Sequence, residues 1–251
     1  MNRVAVDIGG TFTDIVVEDI KKKYSITYKI LSSPKNPALA VLDGLKNNIN
    51  FFNEINFLVH GTTVGLNAFL ERKGSRVLLI MTSGISDTYT IARGDRKVLY
   101  DVQYQKPKQL IPRMDVHEVR ERMSWEGKVI EKLKTKDFQA IIKKINKENI
   151  KSVAVCFLHS YVNPKHEVQA KKILKEKIDK DVIISLSHEI AREWKEYERS
   201  STAVMNAYIG PIVNNYLKKL EKDLLSNHYS KPLYVMQSNG GVIRAKTAIQ
   251  K

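Results

Sequence analysis

Asp7-Ile8-Gly9-Gly10-Thr11-Phe12-Thr13-Asp14 is the stretch that decides how this chain is read. It lies between two short β-branched runs, Val4-Ala5-Val6 and Ile15-Val16-Val17, which read as buried strands. The eight residues are therefore the tip of a hairpin. Gly9 and Gly10 permit positive φ and a close approach of backbone to a ligand. Successive N–H groups in such a turn form a concavity suited to anions. Thr11 and Thr13 add hydroxyl donors, and Asp7 stands where it could hold a Mg²⁺-bound water. This is the chemistry that grips a nucleotide polyphosphate. It is not a P-loop, which needs a Lys after its glycines and a helix behind them. An ordinary Gly-Gly hairpin turn fits the same residues.

Outward from the tip, the spacing predicts strands over 3–7, 13–18 and 25–31. Pro34 and Pro37 break the chain, and Pro37 opens an amphipathic helix carrying Ala38, Val41, Leu42 and Leu45. A strand over 57–59 leads into His60-Gly61-Thr62-Thr63, a helix over 64–72 and a strand over 76–81. Residues 84–134 are less regular, with 118–123 and 128–130 set to pair around Trp125-Glu126-Gly127. Then Thr135 caps a helix carrying Phe138, Ile141, Ile142 and Ile145. A buried strand covers 152–158, a helix opens at Asn163-Pro164, and a strand over 182–186 ends in Ser187-His188-Glu189. A long helix over 198–225, bent near Gly210-Pro211, precedes a strand over 233–236 and the turn Ser238-Asn239-Gly240-Gly241. Three hairpin strands followed by alternating helix and strand describe an α/β fold with a mixed sheet. The expected division is 1–83 as a first lobe, 84–195 as an inserted or second α/β domain of βαβ type, and 196–251 as the start of a further domain.

Composition narrows the function. The 42 basic and 27 acidic residues give a net charge of +15. The excess is mostly lysine spread over polar faces and turns, as at Lys143-Lys144 and Lys171-Lys172, with no Arg-rich or aromatic-interleaved stripe. The reading is therefore no nucleic acid. No stretch reaches the ~18 apolar residues of a membrane span. The single cysteine, Cys156, lies in an apolar run and fits a reducing compartment. With no signal peptide before the first strand, a cytoplasmic protein is expected.

Seven blocks, in order, resemble the hydantoinase A / 5-oxoprolinase family, which includes the ATP-using subunits of acetone and acetophenone carboxylases. They are DIGGTFTDIV (7–16), HGTTVGLNAFLERK (60–73), LYD (99–101), VAVCFLHSYVNPKHE (153–167), SLSHEI (185–190), EYERSSTAVMNAY (196–208) and MQSNGG (236–241). The resemblance implies an actin-like ATPase fold with ribonuclease-H-like lobes, the opening hairpin being its first phosphate loop. It implies ATP and Mg²⁺, and a small cyclic amide or ketone as substrate. In the amide members, γ-phosphoryl transfer to the amide oxygen makes an imidate-like phosphate that water can open. In the carboxylase members, the ketone becomes an enol phosphate. It also implies a B-type hydantoinase subunit as partner, and it leaves room for a homo-oligomer. Family members continue past MQSNGG into a second lobe, so this chain matches their N-terminal part, and alone it is expected to have little or no ATPase activity. A different actin-like kinase and a non-catalytic module remain the other readings.

With the resemblance, Asp7, Gly9, Gly10, Thr11 and Thr13 are the expected nucleotide contacts, Asp7 through Mg²⁺-bound water. His60, Thr62 and Thr63 are expected to line the nucleotide or substrate cleft, with His60 and Asp7 as catalytic candidates. The competing reading makes Thr62 or Thr63 a helix cap and His60 a satisfied strand-end residue. Arg93, His188 and Glu189 are expected substrate contacts, although a surface salt bridge explains Arg93 equally well. His159, His166 and His188 have no compact metal-ligand spacing.

Overall fold

The structure, a computed structural model, describes residues 2–33, 37–48, 52–94, 96 and 98–250. Pro34 and Asp95 lie outside these. Strands β1 (Asn2–Ile8), β2 (Phe12–Asp19) and β3 (Tyr24–Leu31) form an antiparallel meander. Alternation decides their faces: Val4, Val6 and Ile8 are buried, and so are Thr13 and Ile15. Helix α1 (Pro37–Asn48) buries Ala38, Val41, Leu42 and Leu45 in the same core. Strand β4 (Ile55–Thr62) runs parallel to β1, and α2 (Val64–Leu70) follows it.

The next elements build a second sheet. Strand β5 (Val77–Thr82) is buried along its whole length and is followed by the short helix α3 (Asp87–Ile91). Strand β6 (Val116–Val119) pairs with β5 in parallel. Only Arg122-Met123 (β7) and Val129–Glu131 (β8) make the hairpin expected around Gly127. Helix α4 (Phe138–Lys147) begins after a 3₁₀ turn that contains Thr135, so Asp137, not Thr135, occupies its N-cap position. Strand β9 (Ser152–Cys156), helix α5 (Lys165–Lys175), strand β10 (Ile183–Leu186) and the single turn α6 (Ser187–Ile190) follow. The four strands, ordered β10-β9-β5-β6, are all parallel. Such sheets are covered on both faces, which is why β5 and β9 read as unbroken apolar runs.

Helix α7 (Glu196–Ser226) carries Pro211 inside it. Beyond it, β11 (Leu233–Met236) lies parallel to β4, β12 (Val242–Arg244) pairs antiparallel with β11, and α8 (Ala245–Gln250) follows. The Ser238–Gly241 segment is thus the turn of a hairpin. Gly240 sits at φ 83°, a conformation that favours glycine. The first sheet has the order β12-β11-β4-β1-β2-β3. An antiparallel meander with parallel strands added beside its first member is the ribonuclease-H-like sheet of an actin-like ATPase lobe.

The compact units are Met1–Lys73 with Ile212–Lys251, and Gly74–Pro211. This departs from the expected three consecutive segments. Strand β5 belongs to the second sheet, and the chain after Pro211 returns to the first. A short apolar run announces a buried strand but not the sheet it joins.

Gly74 opens the second unit against Tyr208. A Cβ there would lie 2.0 Å from the phenol ring, and Ser75 N–H donates to the Tyr208 carbonyl at 2.9 Å. Gly74→Ala is expected to destabilise this unit by about 1–3 kcal/mol, read as a lower urea midpoint.

Candidate functional site

The parallel register of β1 and β4 sets Asp7 opposite Gly61 and Ile8 opposite Thr62. It brings the hairpin tip beside the start of α2. The tip is closed by Gly9 N–H donating to the Phe12 carbonyl at 2.9 Å. Ser32, just after β3, supports it twice: its N–H donates to the Thr11 carbonyl at 2.8 Å and its hydroxyl to the Gly9 carbonyl at 2.9 Å. With the Ser32 proton so used, the Thr13 hydroxyl donates to Ser32 Oγ at 2.8 Å.

The glycines act differently from expectation. Neither Gly9 nor Gly10 is among the residues of positive φ. A Cβ on Gly9 would press on the Phe12 carbonyl at 3.1 Å, so the tight turn favours glycine there. A Cβ on Gly10 would meet nothing within 4 Å. The fold does not need glycine at position 10, and its absent side chain leaves open space beside exposed backbone. Thr13 is fully buried and holds the hairpin together, so it does not face a ligand, contrary to expectation. Thr11 is exposed at the tip.

Asp7 is exposed at the end of β1, and a Cβ on Gly61 would come within 2.7 Å of its Oδ1. Gly61 therefore leaves the carboxylate its place. Thr63 donates its hydroxyl to the Ile8 carbonyl at 3.1 Å and makes no side-chain cap, whereas Thr62 Oγ1 accepts the Val64 N–H at 3.2 Å. Ile8, Gly9 and Gly10 of the tip, with Ser32, Thr63 and one face of α2, line a cleft of about 460 Å³; Asp7, Thr11 and Thr13 are not among its lining residues. Thr62 is not among its lining residues.

His60 does not line that cleft. Strand β4 continues through Thr62 rather than ending at Val59, and alternation turns His60 inward, where it is 1% exposed. Its Nε2 lies 2.7 Å from the Tyr216 hydroxyl. Burial lowers its pKa to about 4, so the ring is neutral at pH 7. Burial also raises the Tyr216 phenol. His60 is a core residue inside β4 and not the satisfied strand-end residue of the alternative, for its buried Nδ1 has no hydrogen-bond partner among the described residues.

In the second unit, three blocks distant in sequence converge at the carboxyl ends of β5, β9 and β10, where open α/β sheets place ligands. Glu167, fully buried, accepts the Phe157 N–H at 2.9 Å, the Ser187 hydroxyl at 2.6 Å and the His188 N–H at 3.1 Å. His188 Nδ1 lies 2.6 Å from the same carboxylate. Arg199, also fully buried, donates to Ser187 Oγ at 3.0 Å and to the Phe157 carbonyl at 2.6 Å. Beside them, Glu121 joins Thr82 and His166, with His166 Nδ1 at 2.6 Å. His188 is thus held by Glu167, and its Nε2 has no partner among the described residues.

Glu189 turns to the surface and pairs with Lys171 at 2.8 Å. Arg93 is taken by Glu198 at 2.7 Å, the salt-bridge alternative. No group of three or more His, Cys, Asp or Glu suited to a metal occurs among the described residues. Sequence reasoning missed Glu167, Arg199 and Ser187 as partners. The available signal was a Glu and an Arg set beside apolar helix faces.

Sheet and hairpin define a class: an actin-like ATPase lobe. A family model described as hydantoinase/oxoprolinase N-terminal region matches residues 3–178, and one described as hydantoinase/oxoprolinase matches 199–251. The chain belongs to the hydantoinase/oxoprolinase family. It is 40% identical to a Methanocaldococcus jannaschii protein over 99% of this chain and 37% of that one. It is 30% identical to a Dictyostelium discoideum 5-oxoprolinase over 94% of this chain and 21% of that one. The ATP-dependent caprolactamase from Pseudomonas jessenii aligns with TM-score 0.87 at 29% identity, over 98% of this chain and 38% of that chain. Nucleotide-free acetone carboxylase shares the fold, with TM-score 0.84 at 23% identity over 99% of this chain and 38% of that chain. The chain thus spans less than two fifths of these proteins. No helix among the described residues is long and apolar enough to cross a membrane.

Two stability predictions follow from the buried polar groups. Between pH 6.5 and about 4 the unfolded chain protonates His60 and the folded one does not. This contribution to stability is intact above pH 6.5 and is lost as pH falls towards 4, by up to about 3 kcal/mol. Urea melts at pH 7.5 and 4.5 should show this slope flattened in His60→Phe. Glu167→Ala should cost the second unit about 3–5 kcal/mol, measured the same way, because it strands Ser187, His188 and two backbone N–H groups.

Proposed function

We propose that this chain is the N-terminal, nucleotide-side part of an ATP-dependent hydrolase of cyclic amides. The observation that carries the reading is the hairpin tip: a turn held from behind by Ser32 and Thr13, with unfilled space at Gly10. A side chain missing where the fold would accept one marks a place kept clear for a ligand. The caprolactamase and 5-oxoprolinase likenesses support a ring amide as the substrate.

ATP, when bound, supplies the phosphoryl group that makes the amide oxygen a leaving group. The chain's own residues do the positioning. The backbone of Gly9, Gly10 and Thr11 would hold the phosphate oxygens, with the Thr11 hydroxyl as a further donor. Asp7, kept in place over Gly61, would hold Mg²⁺ through water. Preorganised donors of this kind are the protein's main contribution to phosphoryl transfer. Thr13, Ser32 and Thr63 fix the two sides of the cleft and touch no phosphate in this reading.

Calorimetry of the 251-residue chain with MgADP tests it. Gly10→Ala should keep the unfolding free energy from urea melts within about 1 kcal/mol of wild type while weakening MgADP binding about tenfold or more. Wild-type affinity in Gly10→Ala would refute the assignment. Asp7→Asn should weaken binding in Mg²⁺ and have little effect in EDTA.

A further inference from the structure

Strand β3 is one edge of the first sheet, and β2 is its only strand partner among the described residues. At eight residues it is the longest open edge they contain. Strand β12, at the other end of the same sheet, has three, and β6 and β10, the edges of the parallel sheet, have four each. Folded proteins blunt a long edge with proline, a bulge or unpaired charge. Tyr24-Ser25-Ile26-Thr27-Tyr28-Lys29-Ile30-Leu31 has none of these. Its pairing with β2 runs through all eight residues without a shift, and Asp14 meets the charge of its one lysine at 3.0 Å.

Alternation fixes what faces the open side. Ser32 N–H donates to the Thr11 carbonyl, one step beyond the Phe12–Leu31 pair, so the even-numbered residues of β3 bond to β2. Ser25, Thr27, Lys29 and Leu31 therefore turn their backbone N–H and C=O outward. The side chains divide the strand in half. Tyr28 and Ile30 pack against the first core, where Gly44 of α1 leaves room for Ile30: a Cβ there would lie 2.6 Å from Ile30 Cδ1. Tyr24 and Ile26, on the same face, remain 46% and 39% exposed.

We propose that β3 is the seat of a second copy of this chain, joined edge to edge in antiparallel register about a two-fold axis at Thr27. The strand is self-complementary about that residue. Thr27 meets its own counterpart, Ser25 meets Lys29, Ile26 meets Tyr28 and Tyr24 meets Ile30. The odd-numbered pairs exchange backbone hydrogen bonds, and Thr–Thr and aromatic–β-branched pairs stabilise such a ladder. The two lysines stand apart, each opposite a serine. Axes at Ile26 or Tyr28 would instead set Ile30 against Lys22 or Tyr24 against Ser32. In the Thr27 register the bare half of each strand lies beside the covered half of the other. The contact is isologous and uses up both β3 edges, so it closes at two copies.

Sedimentation equilibrium of the 251-residue chain at micromolar concentration tests the interface. Wild type should be a dimer. Thr27→Lys and Thr27→Glu, each with an unchanged urea midpoint, should raise the dimer dissociation constant about a hundredfold, because like charges then face each other at the axis. Equal amounts of the two variants, mixed, should restore a dimer holding one of each. Thr27→Cys should cross-link to itself on oxidation, since residues that exchange both hydrogen bonds have Cα atoms about 5.5 Å apart, within disulfide reach. The native Cys156 is buried and does not compete. Ser25→Cys should cross-link with Lys29→Cys and not with itself. A wild type that stays monomeric overturns the inference. So does a dimer that both charged variants leave intact, which puts the contact on another surface. A mixture of the charged variants that stays monomeric, or growth of wild type beyond two copies, overturns it as well.

Discussion

The parallel pairing of β1 with β4 is the constraint on which the first unit depends. It joins residues more than fifty positions apart in one register. That register decides what stands beside the hairpin tip: Gly61 under Asp7, Thr63 on the Ile8 carbonyl, and the face of α2 along the cleft. A slip of one residue would turn every side chain to the other face. It would bury Asp7 and expose Val6 and Ile8. The apolar alternation of β1 therefore guards the geometry of the cleft as well as the core.

The second unit is organised by buried charge. Glu167 and Arg199 never meet directly. Ser187 joins them, donating to the carboxylate and accepting from the guanidinium. Phe157 ties the end of β9 to α5 and α7, and Ser187 ties the start of α6 to the same two helices. Taking such groups out of water is costly, and hydrogen bonds at this density offset the cost only while all partners stay in place. The network therefore favours one arrangement of the loops at the carboxyl edge of the parallel sheet.

Much of the fold was legible in the sequence. The strands of the meander, the helix opened by Pro37 and the apolar runs of β5 and β9 follow from period and composition. Exposure was legible where it is local, as at Asp7, Gly10 and Thr11 of the tip. They were misread where a side chain's direction depends on strand length. Ending β4 at Val59 left His60 free to face a cleft, and extending it to Thr62 puts His60 in the core. Thr13 was misread for the same reason, since alternation within β2 turns it inward to Ser32. The partners of Arg93 and His188, Glu198 and Glu167, were not legible because they lie far away in sequence.

By itself, the sequence determined the type of each long element and the place of the opening hairpin, because these depend on neighbours within a few residues. Its seven blocks also determined the family. The tertiary structure decided which sheet each buried strand joins, which placed β5 in the second unit and β11 in the first. It decided that a side chain would be crowded at Gly9 and free at Gly10, a distinction invisible in the dipeptide. It decided that Thr63 ties the start of α2 to the end of β1, because only the fold brings the Ile8 carbonyl, more than fifty residues away in sequence, to its hydroxyl.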